Sequence, residues 1–382
     1  MKRAAVMMLA ACVLPWLLGG CWDFRNIKDM NFISAIGIDY EDRQYVVYAQ
    51  MVDFSTLSTS NGSPMPPTAV WVGIGQGPTL NGAFHDLYNT SEKRIFWGHV
   101  TGIVFSEALV HKGIDPVIEV LNRYRELRYG LWLYSTREKF PELLKLKPFF
   151  NQSPMDSVMH YPISNYMQAS YIKPIDFQYF IRLYKDEGAT VMIPRLSANK
   201  RQWLEDGKPK PMLEIDGITA IGPHKQSASF SRAQTTGLRW LEKSTVRSPI
   251  TLKEGNRVRA MLAGGRPKPS ITAKVGPRGE PVFDIAVQLQ ANLLELIEPM
   301  TVEEIEAAAA EAVASDIRRS YAEGLEKNID MCNLEHELYR QQNQLWRERE
   351  QQGGLRLTPQ SLGAVNVKVA LTHTGKYELL VD

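Results

Sequence analysis

A cysteine at the end of an apolar run is the clearest candidate for chemistry in this chain. Cys21 follows Leu18, Gly19 and Gly20, and residues 4–18 are almost entirely apolar. A cysteine thiolate is the nucleophile that S-acylation requires, and the small residues before it fit a narrow peptidase site. These four residues resemble the bacterial lipobox. They predict an S-diacylglycerol and an N-acyl group on Cys21 after cleavage between Gly20 and Cys21.

The segment before Cys21 has the pattern of a secretory signal. Lys2 and Arg3 form a positive start, and the apolar run of about 15 residues is shorter than the roughly 20 that a membrane span needs. Two alternatives are an ordinary signal peptide with an incidental cysteine and an uncleaved anchor. Removal of residues 1–20 takes away two of the 44 basic residues and none of the 42 acidic ones, which leaves 42 of each. Cys332 is then the one unmodified thiol, so the processed chain has no internal disulfide.

Glycine-rich and histidine-containing motifs elsewhere lack residues that their chemistry requires. Residues 73–77 read G-I-G-Q-G between a predicted strand and a predicted helix. Pro78 stands where a dinucleotide-binding loop needs glycine, and no Walker lysine follows, so a glycine-rich turn is the simpler interpretation. His336 and Glu337 begin an H-E-x-x-H motif in which Arg340 replaces the second histidine. The sequence therefore predicts no catalytic residue, no metal site and no cofactor.

Aromatic and arginine side chains are further candidates for binding. Three arginines at a predicted helix end, Arg123, Arg125 and Arg128, are either a docking patch or partners of acidic neighbours. Seven aromatic residues could line a ligand pocket, although such residues are more often part of the core. They are Trp71, Phe96, Trp97, Trp132, Tyr134, Trp203 and Trp240. In both cases we favour the structural interpretation: the arginines pair with acidic neighbours, and the aromatic residues belong to the core.

The first half of the chain predicts mixed α and β structure. Residues 32–40 and 45–52 read as two strands joined by a charged turn, and residues 69–134 alternate between strand and helix patterns. Two further helices are expected at residues 157–170 and 174–185. The polar stretch at residues 199–211 is either a domain boundary or a long hairpin.

The second half predicts a sheet and long helices. Residues 283–293 and 365–371 alternate apolar and polar side chains, which is typical of a half-exposed, antiparallel sheet. Between them, Thr301 and Glu304 form a capping box at the start of the longest helix. A second helix is expected at residues 334–349, and both helices should pack on the sheet. Further predictions are a strand at 212–221 and a helix at 231–242.

Length and charge limit the function classes. A chain of 382 residues is long enough for two or three domains. The formal net charge is +2 and no block of like charge occurs, so the sequence does not predict nucleic acid as a partner.

Several short motifs in a fixed order give the chain a family resemblance. It resembles the Ger(x)C family, the lipoprotein C subunits of nutrient germinant receptors in spore-forming bacteria. The resemblance runs from the lipobox to the C-terminus. Asn26 departs from the family pattern, which often has glutamate after the arginines that follow C-W-D. The motifs are C-W-D-F-R at 21–25, A-I-G-I-D-Y at 35–40, G-H-V-T-G-I-V-F-S-E-A-L at 98–109, L-N-R-Y-R-E-L-R at 121–128, N-L-E-H-E-L-Y-R at 333–340 and V-N-V-K-V at 365–369.

The resemblance implies a function and a set of partners. It implies a non-enzymatic scaffold or signal-relay subunit that acts with integral membrane subunits A and B in nutrient-triggered germination. The protein would be held by its N-terminal lipid on the outer face of the spore inner membrane or cell membrane. Direct germinant binding is left open, and no catalytic residue carries over. The main alternative is a solute-binding lipoprotein of an ABC transporter.

The resemblance also implies an elongated, multidomain α+β (mixed α/β) fold. The expected divisions are the signal peptide at 1–20, an N-terminal region at 21–200 and a C-terminal domain at 211–382. The C-terminal domain is expected to be an antiparallel sheet packed with long helices. The N-terminal region is left open to a division into two subdomains, with residues 55–137 or so as one module.

Overall fold

The computed structural model describes residues 29–52, 69–277 and 279–373. Within these residues the chain forms two large sheets, one small hairpin and ten α-helices. The strands are β1 Met30–Glu41, β2 Gln44–Val52, β3 Val70–Gly77, β4 Arg94–Phe96, β5 Gly102–Ser106, β6 Trp132–Thr136, β7 Val191–Asn199, β8 Leu204–Glu205, β9 Lys208–Pro209, β10 Met212–Ile221, β11 Ser227–Ser231, β12 Ser248–Glu254, β13 Arg257–Val275, β14 Pro281–Leu296 and β15 Leu362–His373. The helices are α1 Leu80–Asp86, α2 Glu107–Lys112, α3 Asp115–Arg123, α4 Phe140–Leu144, α5 Pro162–Gln168, α6 Phe177–Tyr184, α7 Leu238–Leu241, α8 Val302–Glu326, α9 Leu334–Gln341 and α10 Asn343–Gln351.

The first sheet has a parallel centre and antiparallel edges. Its order is β11-β10-β7-β6-β5-β1-β2-β3, and β4 pairs with β1 outside this path. Strands β1, β5, β6 and β7 run parallel, whereas β2, β3, β10 and β11 join as antiparallel neighbours. One face of the sheet packs on α1, α2, α3 and α6 through a large apolar core, and the other face packs on α4. The predicted mixed α and β class is confirmed.

Turn chemistry explains the hairpin that opens the first sheet. Asp42 and Arg43 join β1 to β2 with φ angles of 48° and 64°. Two consecutive left-handed residues match the right-handed twist of the flanking strands, as in a type I′ turn. The charged turn predicted between these two strands is therefore confirmed.

The glycine-rich stretch at residues 73–77 lies within β3 and does not form the predicted turn. Gly73, Gly75 and Gly77 point to one face of the strand, where they contact Leu87 and α1. A Cβ atom on Gly75 would overlap the carbonyl oxygen of Ala83. The glycines thus allow a helix to lie directly against the strand, which explains their alternation without a phosphate ligand.

The polar stretch at residues 199–211 forms a hairpin, the second of its two predicted alternatives. Strands β8 and β9 pair within it, and Gly207 at its turn has φ +77°. Strand β10 then returns to pair with β7. The first sheet therefore continues as far as Ser231.

The second sheet has the order β12-β13-β14-β15. Its first three strands are antiparallel, as expected, but β15 runs parallel to β14. The physical reason is the connection between them, in which α8, α9 and α10 carry the chain back to the end of the sheet where β14 began. Helix α8 contacts β12 and β15, so the prediction that the longest helix packs on this sheet is confirmed.

Local sequence signals account for the start of α8. The Thr301 hydroxyl accepts a hydrogen bond from the Glu304 backbone N–H at 3.2 Å, and the Thr301 backbone N–H donates to the Glu304 side chain at 2.9 Å. Met300 and Ile305 on either side of this capping box are both buried in the same core. The box satisfies two backbone donors that an uncapped helix would leave without partners.

Loss of this cap should weaken the second core measurably. We expect Thr301→Ala to lower the free energy of unfolding by about 1 kcal/mol, within the usual range of roughly 0.5–2 kcal/mol for such caps. Thr301→Ser keeps the hydroxyl and is the matched control. Urea denaturation of both variants measures the difference, and equal stability of the alanine variant and the parent would contradict the assigned role.

Three predicted helices differ in length from the observed ones. The helix expected at 157–170 begins only at Pro162, where proline fits the first turn. Of the helix expected at 231–242, only α7 forms. The helix expected at 334–349 is interrupted at Gln342, whose side chain donates to the Ala273 carbonyl oxygen at 2.8 Å. It ends before Gly353 and Gly354, which have positive φ angles.

Candidate functional site

A cavity of about 410 Å³ lies where the two sheets meet, and we call it the inter-sheet pocket. Residues of β7 and β10 line one side, and residues of α6, α7 and α9 complete it. Its lining includes Tyr166, Tyr171, Lys173, Tyr179, Arg182, Thr190, Met192, Ile218, Arg239, Glu242, Ile271, Cys332, Asn333, His336, Glu337 and Arg340. A concave space with apolar walls and several convergent polar groups is the usual form of a small-molecule site.

Helix α6 supplies one wall because of how it is capped. The Asp176 carboxylate accepts a hydrogen bond from the Tyr179 backbone N–H at 2.7 Å. Phe177 and Phe180 then face the first core, which turns Tyr179 and Arg182 toward the pocket. The Arg182 guanidinium lies 4.7 Å from the centre of the Tyr179 ring, a cation–π distance.

Helix α9 supplies the opposite wall and begins at a buried carboxylate. Asp330 accepts the backbone N–H of Glu335 at 2.8 Å. Burial raises the pKa of Asp330 to about 6, although four backbone N–H groups that follow it oppose the rise. Asn333, with φ +55°, accepts the backbone N–H of Thr190 at 2.7 Å. This bond joins the residue immediately before β7 to the start of α9.

Ion pairs and unpaired atoms share the pocket. Lys173 pairs with Glu242 at 3.1 Å, and His336 Nε2 lies within hydrogen-bond distance, 3.1 Å, of Asp186 Oδ2. Arg239, largely buried, pairs with Asp316 at 3.2 Å, and burial lowers the pKa of its guanidinium. Within the part of the chain that the structure describes, the Arg239 Nε and Thr190 Oγ1 atoms are buried without a hydrogen-bond partner. Buried polar atoms without a partner are uncommon in folded proteins.

The pocket offers little for covalent chemistry. The thiol in the lining of the pocket belongs to Cys332, a buried residue that is 4% exposed. Burial raises the pKa of the Cys332 thiol well above its usual range, so the sulfur stays protonated and inert. The predicted role of Cys332 as a core residue is confirmed.

A second cluster lies next to Trp346, where α9 and α10 meet the turn between β10 and β11. It consists of His224, Glu335 and Glu350, whose ligand atoms all lie within 4.8 Å of one another. Burial raises the pKa of Glu335 to about 8, and the neighbouring Glu350 adds to the rise. Among the described residues, these three side chains lie close enough together to hold a metal ion.

Comparison with known proteins identifies the family. The model described as "Spore germination protein N-terminal domain" matches residues 23–198, and the one described as "Spore germination B3/ GerAC like, C-terminal" matches residues 216–375. This chain belongs to the Ger(x)C family. The resemblance read from the order of its sequence motifs is thereby confirmed.

Individual relatives of this Ger(x)C protein are distant in sequence. Spore germination protein KC of Bacillus subtilis (strain 168) is 21% identical over 97% of this chain and 95% of its own. The putative spore germination protein YfkR of the same organism is 26% identical over 54% of each chain, so the match spans about half of that relative. The crystal structure of the GerBC protein is similar with a TM-score of 0.53, at 15% identity, over 88% of this chain and 96% of that one. It supports the fold.

The residues of the predicted lipobox, Leu18, Gly19, Gly20 and Cys21, lie outside the residues that the structure describes. The predicted loop at 55–67 also lies outside them. None of the helices in the described ranges is both long and apolar enough to span a bilayer.

The structure distributes the other candidate residues of the Ger(x)C chain widely. Of the seven aromatics, Trp97, Tyr134 and Trp240 are buried in separate cores, whereas Trp71 and Trp203 are largely exposed. They do not line one pocket. Arg123 pairs with Glu119 on its own helix, as the structural interpretation predicted. Sequence reasoning missed Thr190 and Arg239, which carry no motif and become visible as pocket residues only through burial.

Proposed function

We propose that this Ger(x)C protein is the lipid-anchored C subunit of a spore nutrient germinant receptor. In this proposal it works with integral membrane subunits A and B, on the outer face of the spore inner membrane, as a scaffold or signal relay without catalysis. The observation that carries the proposal is the family match over both halves of the chain, together with the lipobox at Cys21. The relatives named for spore germination support the same role.

A relay requires mechanical coupling between its parts, and the contacts between the two sheets support it. Ile218 and Phe230 of the first sheet pack with Ile329 and Met331, which follow α8. The Lys327 ammonium donates to the Ser229 carbonyl oxygen at 2.6 Å. A displacement at one sheet would therefore be transmitted to the other through packed side chains rather than absorbed by a linker.

Hydrogen bonds to α8 strengthen this coupling. The Gln234 side-chain amide donates to Glu323 at 2.6 Å, and the Gly237 backbone N–H donates to the Ser320 hydroxyl at 2.9 Å. A Cβ atom on Gly237 would overlap the backbone of Asp316 and Ile317, so the segment lies directly on the helix. The connection between the sheets is thus a packed element of structure.

The predicted anchor fits a subunit that depends on weak contacts. Two buried acyl chains hold a protein stably at a bilayer, since each buried CH₂ contributes about 0.8 kcal/mol. Confinement beside membrane partners raises their effective concentration, so that modest interfaces become occupied. A protein anchored in this way needs no membrane-spanning element of its own to reach subunits A and B.

The solute-binding lipoprotein of an ABC transporter is the second candidate, and the inter-sheet pocket favours it. The cavity is large enough for a small solute, and its lining includes the polar residues Arg239 and Thr190. A shift in tryptophan fluorescence on addition of amino acids or sugars would support this candidate, since Trp240 lies next to Arg239.

Replacement of the acylated cysteine tests the proposal directly. We expect Cys21→Ala, introduced into spores of the source bacterium, to release the protein from the membrane fraction because no thiol remains for diacylglycerol. Nutrient-triggered germination should fall sharply while non-nutrient triggers still act. The measurements are immunoblots of membrane fractions and the loss of optical density during germination.

The control for this experiment is the other thiol of the processed chain. Cys332→Ala changes a buried core residue and should leave membrane association intact. If Cys21→Ala spores germinate normally with nutrients but fail to take up a solute, the transporter function replaces the receptor function.

A further inference from the structure

Three potential metal ligands converge from three separate elements. His224 lies in the turn between β10 and β11, Glu335 in the first turn of α9 and Glu350 in α10. The His224 Nε2 atom is 3.6 Å from Glu350 Oε1 and 3.9 Å from Glu335 Oε1. Ligands around a tetrahedral zinc ion, with bonds of about 2.0–2.1 Å, are roughly 3.4 Å apart. Small side-chain rotations would therefore bring all three atoms into coordination.

The two carboxylates of this cluster have no cationic lysine or arginine partner within the described ranges. The Glu335 side chain is 5% exposed, and Glu350 Oε1 is buried without a hydrogen-bond partner. Within the described ranges, no lysine or arginine lies within ion-pair distance of either carboxylate, and His224 is the one basic group near both. Glu335 is buried and Glu350 is partly buried, and two carboxylates held this close repel each other when both are ionised, so a positive charge between them would stabilise the arrangement.

The surrounding residues fix the orientation of the cluster. The buried Trp346 indole N–H donates to Glu335 Oε1 at 3.2 Å. Supporting hydrogen bonds of this type orient metal ligands in known sites. Gly354, with φ +90°, lies against the His224 ring, and a Cβ atom there would be 2.9 Å from Nε2. The glycine leaves room for the ring to face the carboxylates.

We propose that His224, Glu335 and Glu350 bind one divalent transition-metal cation of the zinc type. An imidazole with two carboxylates suits zinc better than magnesium or calcium, which prefer oxygen ligands alone. The half-exposed His224 leaves the fourth position open to water. Because His224 belongs to the first sheet and the glutamates belong to helices that pack on the second, the ion links the two sheets. It would stabilise the coupling between them.

Titration with zinc tests this site in the full chain, purified in detergent without a histidine tag and treated with a chelator. Isothermal titration calorimetry with ZnCl₂ should give one equivalent per chain, whereas MgCl₂ should give no comparable binding. We expect His224→Ala and Glu350→Gln each to weaken zinc binding at least tenfold, because each removes one of three ligands. His224→Cys should restore binding, since a thiolate is also a zinc ligand.

A matched control separates this site from weaker surface binding. His85 is an exposed histidine that stacks edge-on with Tyr88, away from any of the three ligands. His85→Ala should leave both stoichiometry and affinity unchanged. Circular dichroism of each variant shows that it is folded. Absence of stoichiometric binding, or binding that persists in both His224→Ala and Glu350→Gln, overturns the proposal.

Discussion

Arg195→Ala is expected to lower the free energy of unfolding by about 3–5 kcal/mol, because it removes one member of a buried ion-pair network. Arg195 on β7 is 6% exposed. Its Nη1 lies 3.2 Å from Glu107 Oε1 at the start of α2, and its Nε lies 2.7 Å from Asp216 Oδ1 on β10. Deletion of the guanidinium would leave the Glu107 carboxylate buried with less compensation.

The electrostatics of Glu107 explain the size of this effect. Burial by itself raises the pKa of Glu107, but hydrogen bonds from Arg137 and Ser229 and the charges of Arg137 and Arg195 outweigh it. The pKa of Glu107 therefore lies below its usual value. A carboxyl group with a depressed pKa in the folded state contributes stability above its unfolded pKa, and this contribution is lost as the pH falls.

Urea denaturation of the parent and the Arg195→Ala variant at neutral pH measures the loss. The matched control is Arg123→Ala, since Arg123 pairs at 2.6 Å with Glu119 four residues earlier on an exposed helix face. That exposed pair should contribute less than about 0.5 kcal/mol. A similar loss in the two variants would show that burial of the Arg195 network does not matter to stability.

Elements with strong local signals could be predicted from the sequence. The alternation of Phe283, Ile285 and Val287 predicts one buried face of a strand, and all three are buried in β14. Thr301 and Glu304 correctly mark the start of α8, because a capping box depends on residues three apart. In both cases neighbouring residues determine the structure.

Elements that depend on distant partners could not be predicted from the sequence. Strand β13 contains Gly264, Gly265 and Pro267, which normally indicate a turn. In the structure the pairing of β13 with β14 is irregular between Gly265 and Lys268, so the sheet accommodates them. Gly265 lies so close to the Val246 carbonyl oxygen that a side chain would overlap it. That contact comes from the loop that precedes β12 and leaves no local signal in the sequence of β13.

The candidate sites depend even more on contacts between residues that are distant in the sequence. His224 and Glu335 are separated by more than one hundred positions in the sequence, so no metal-binding spacing could reveal them. Arg239 and Thr190 of the inter-sheet pocket become candidates only because burial leaves their polar atoms unpaired. The lipobox at Cys21, by contrast, is a prediction that rests on a contiguous motif, so it needs no contact between distant residues.

A buried histidine gives the second large effect, through pH. His160 is 5% exposed, and its ring lies between neutral partners. Its Nε2 is 3.0 Å from the Gln50 side-chain oxygen, whose amide nitrogen donates to the Leu144 carbonyl oxygen at 2.6 Å. Gln50 therefore accepts from Nε2–H, while Nδ1, 2.6 Å from the Thr101 hydroxyl, accepts a hydrogen bond. The neutral ring is thus satisfied on both sides.

Burial lowers the pKa of His160 from 6.5 to about 3. Between these two values the unfolded chain binds a proton that the folded chain does not, so stability falls as the pH falls. Each pH unit in this window costs about 1.4 kcal/mol, so acidification to pH 4.5 should remove roughly 3 kcal/mol of stability through this residue. Above about pH 6.5 the contribution is constant.

His160→Gln isolates this contribution, because a glutamine amide N–H can replace the ring Nε2–H while it does not titrate. We expect urea denaturation between pH 7 and pH 4.5 to show a smaller loss of stability in His160→Gln than in the parent, by roughly 3 kcal/mol. His85→Gln, which changes an exposed histidine, should follow the parent. Equal pH dependence of His160→Gln and the parent would mean that His160 becomes protonated in the folded chain between pH 7 and pH 4.5, as it does in the unfolded chain. In that case the folded structure would have to supply an acceptor for a second ring N–H, in place of the neutral arrangement with Thr101 and Gln50.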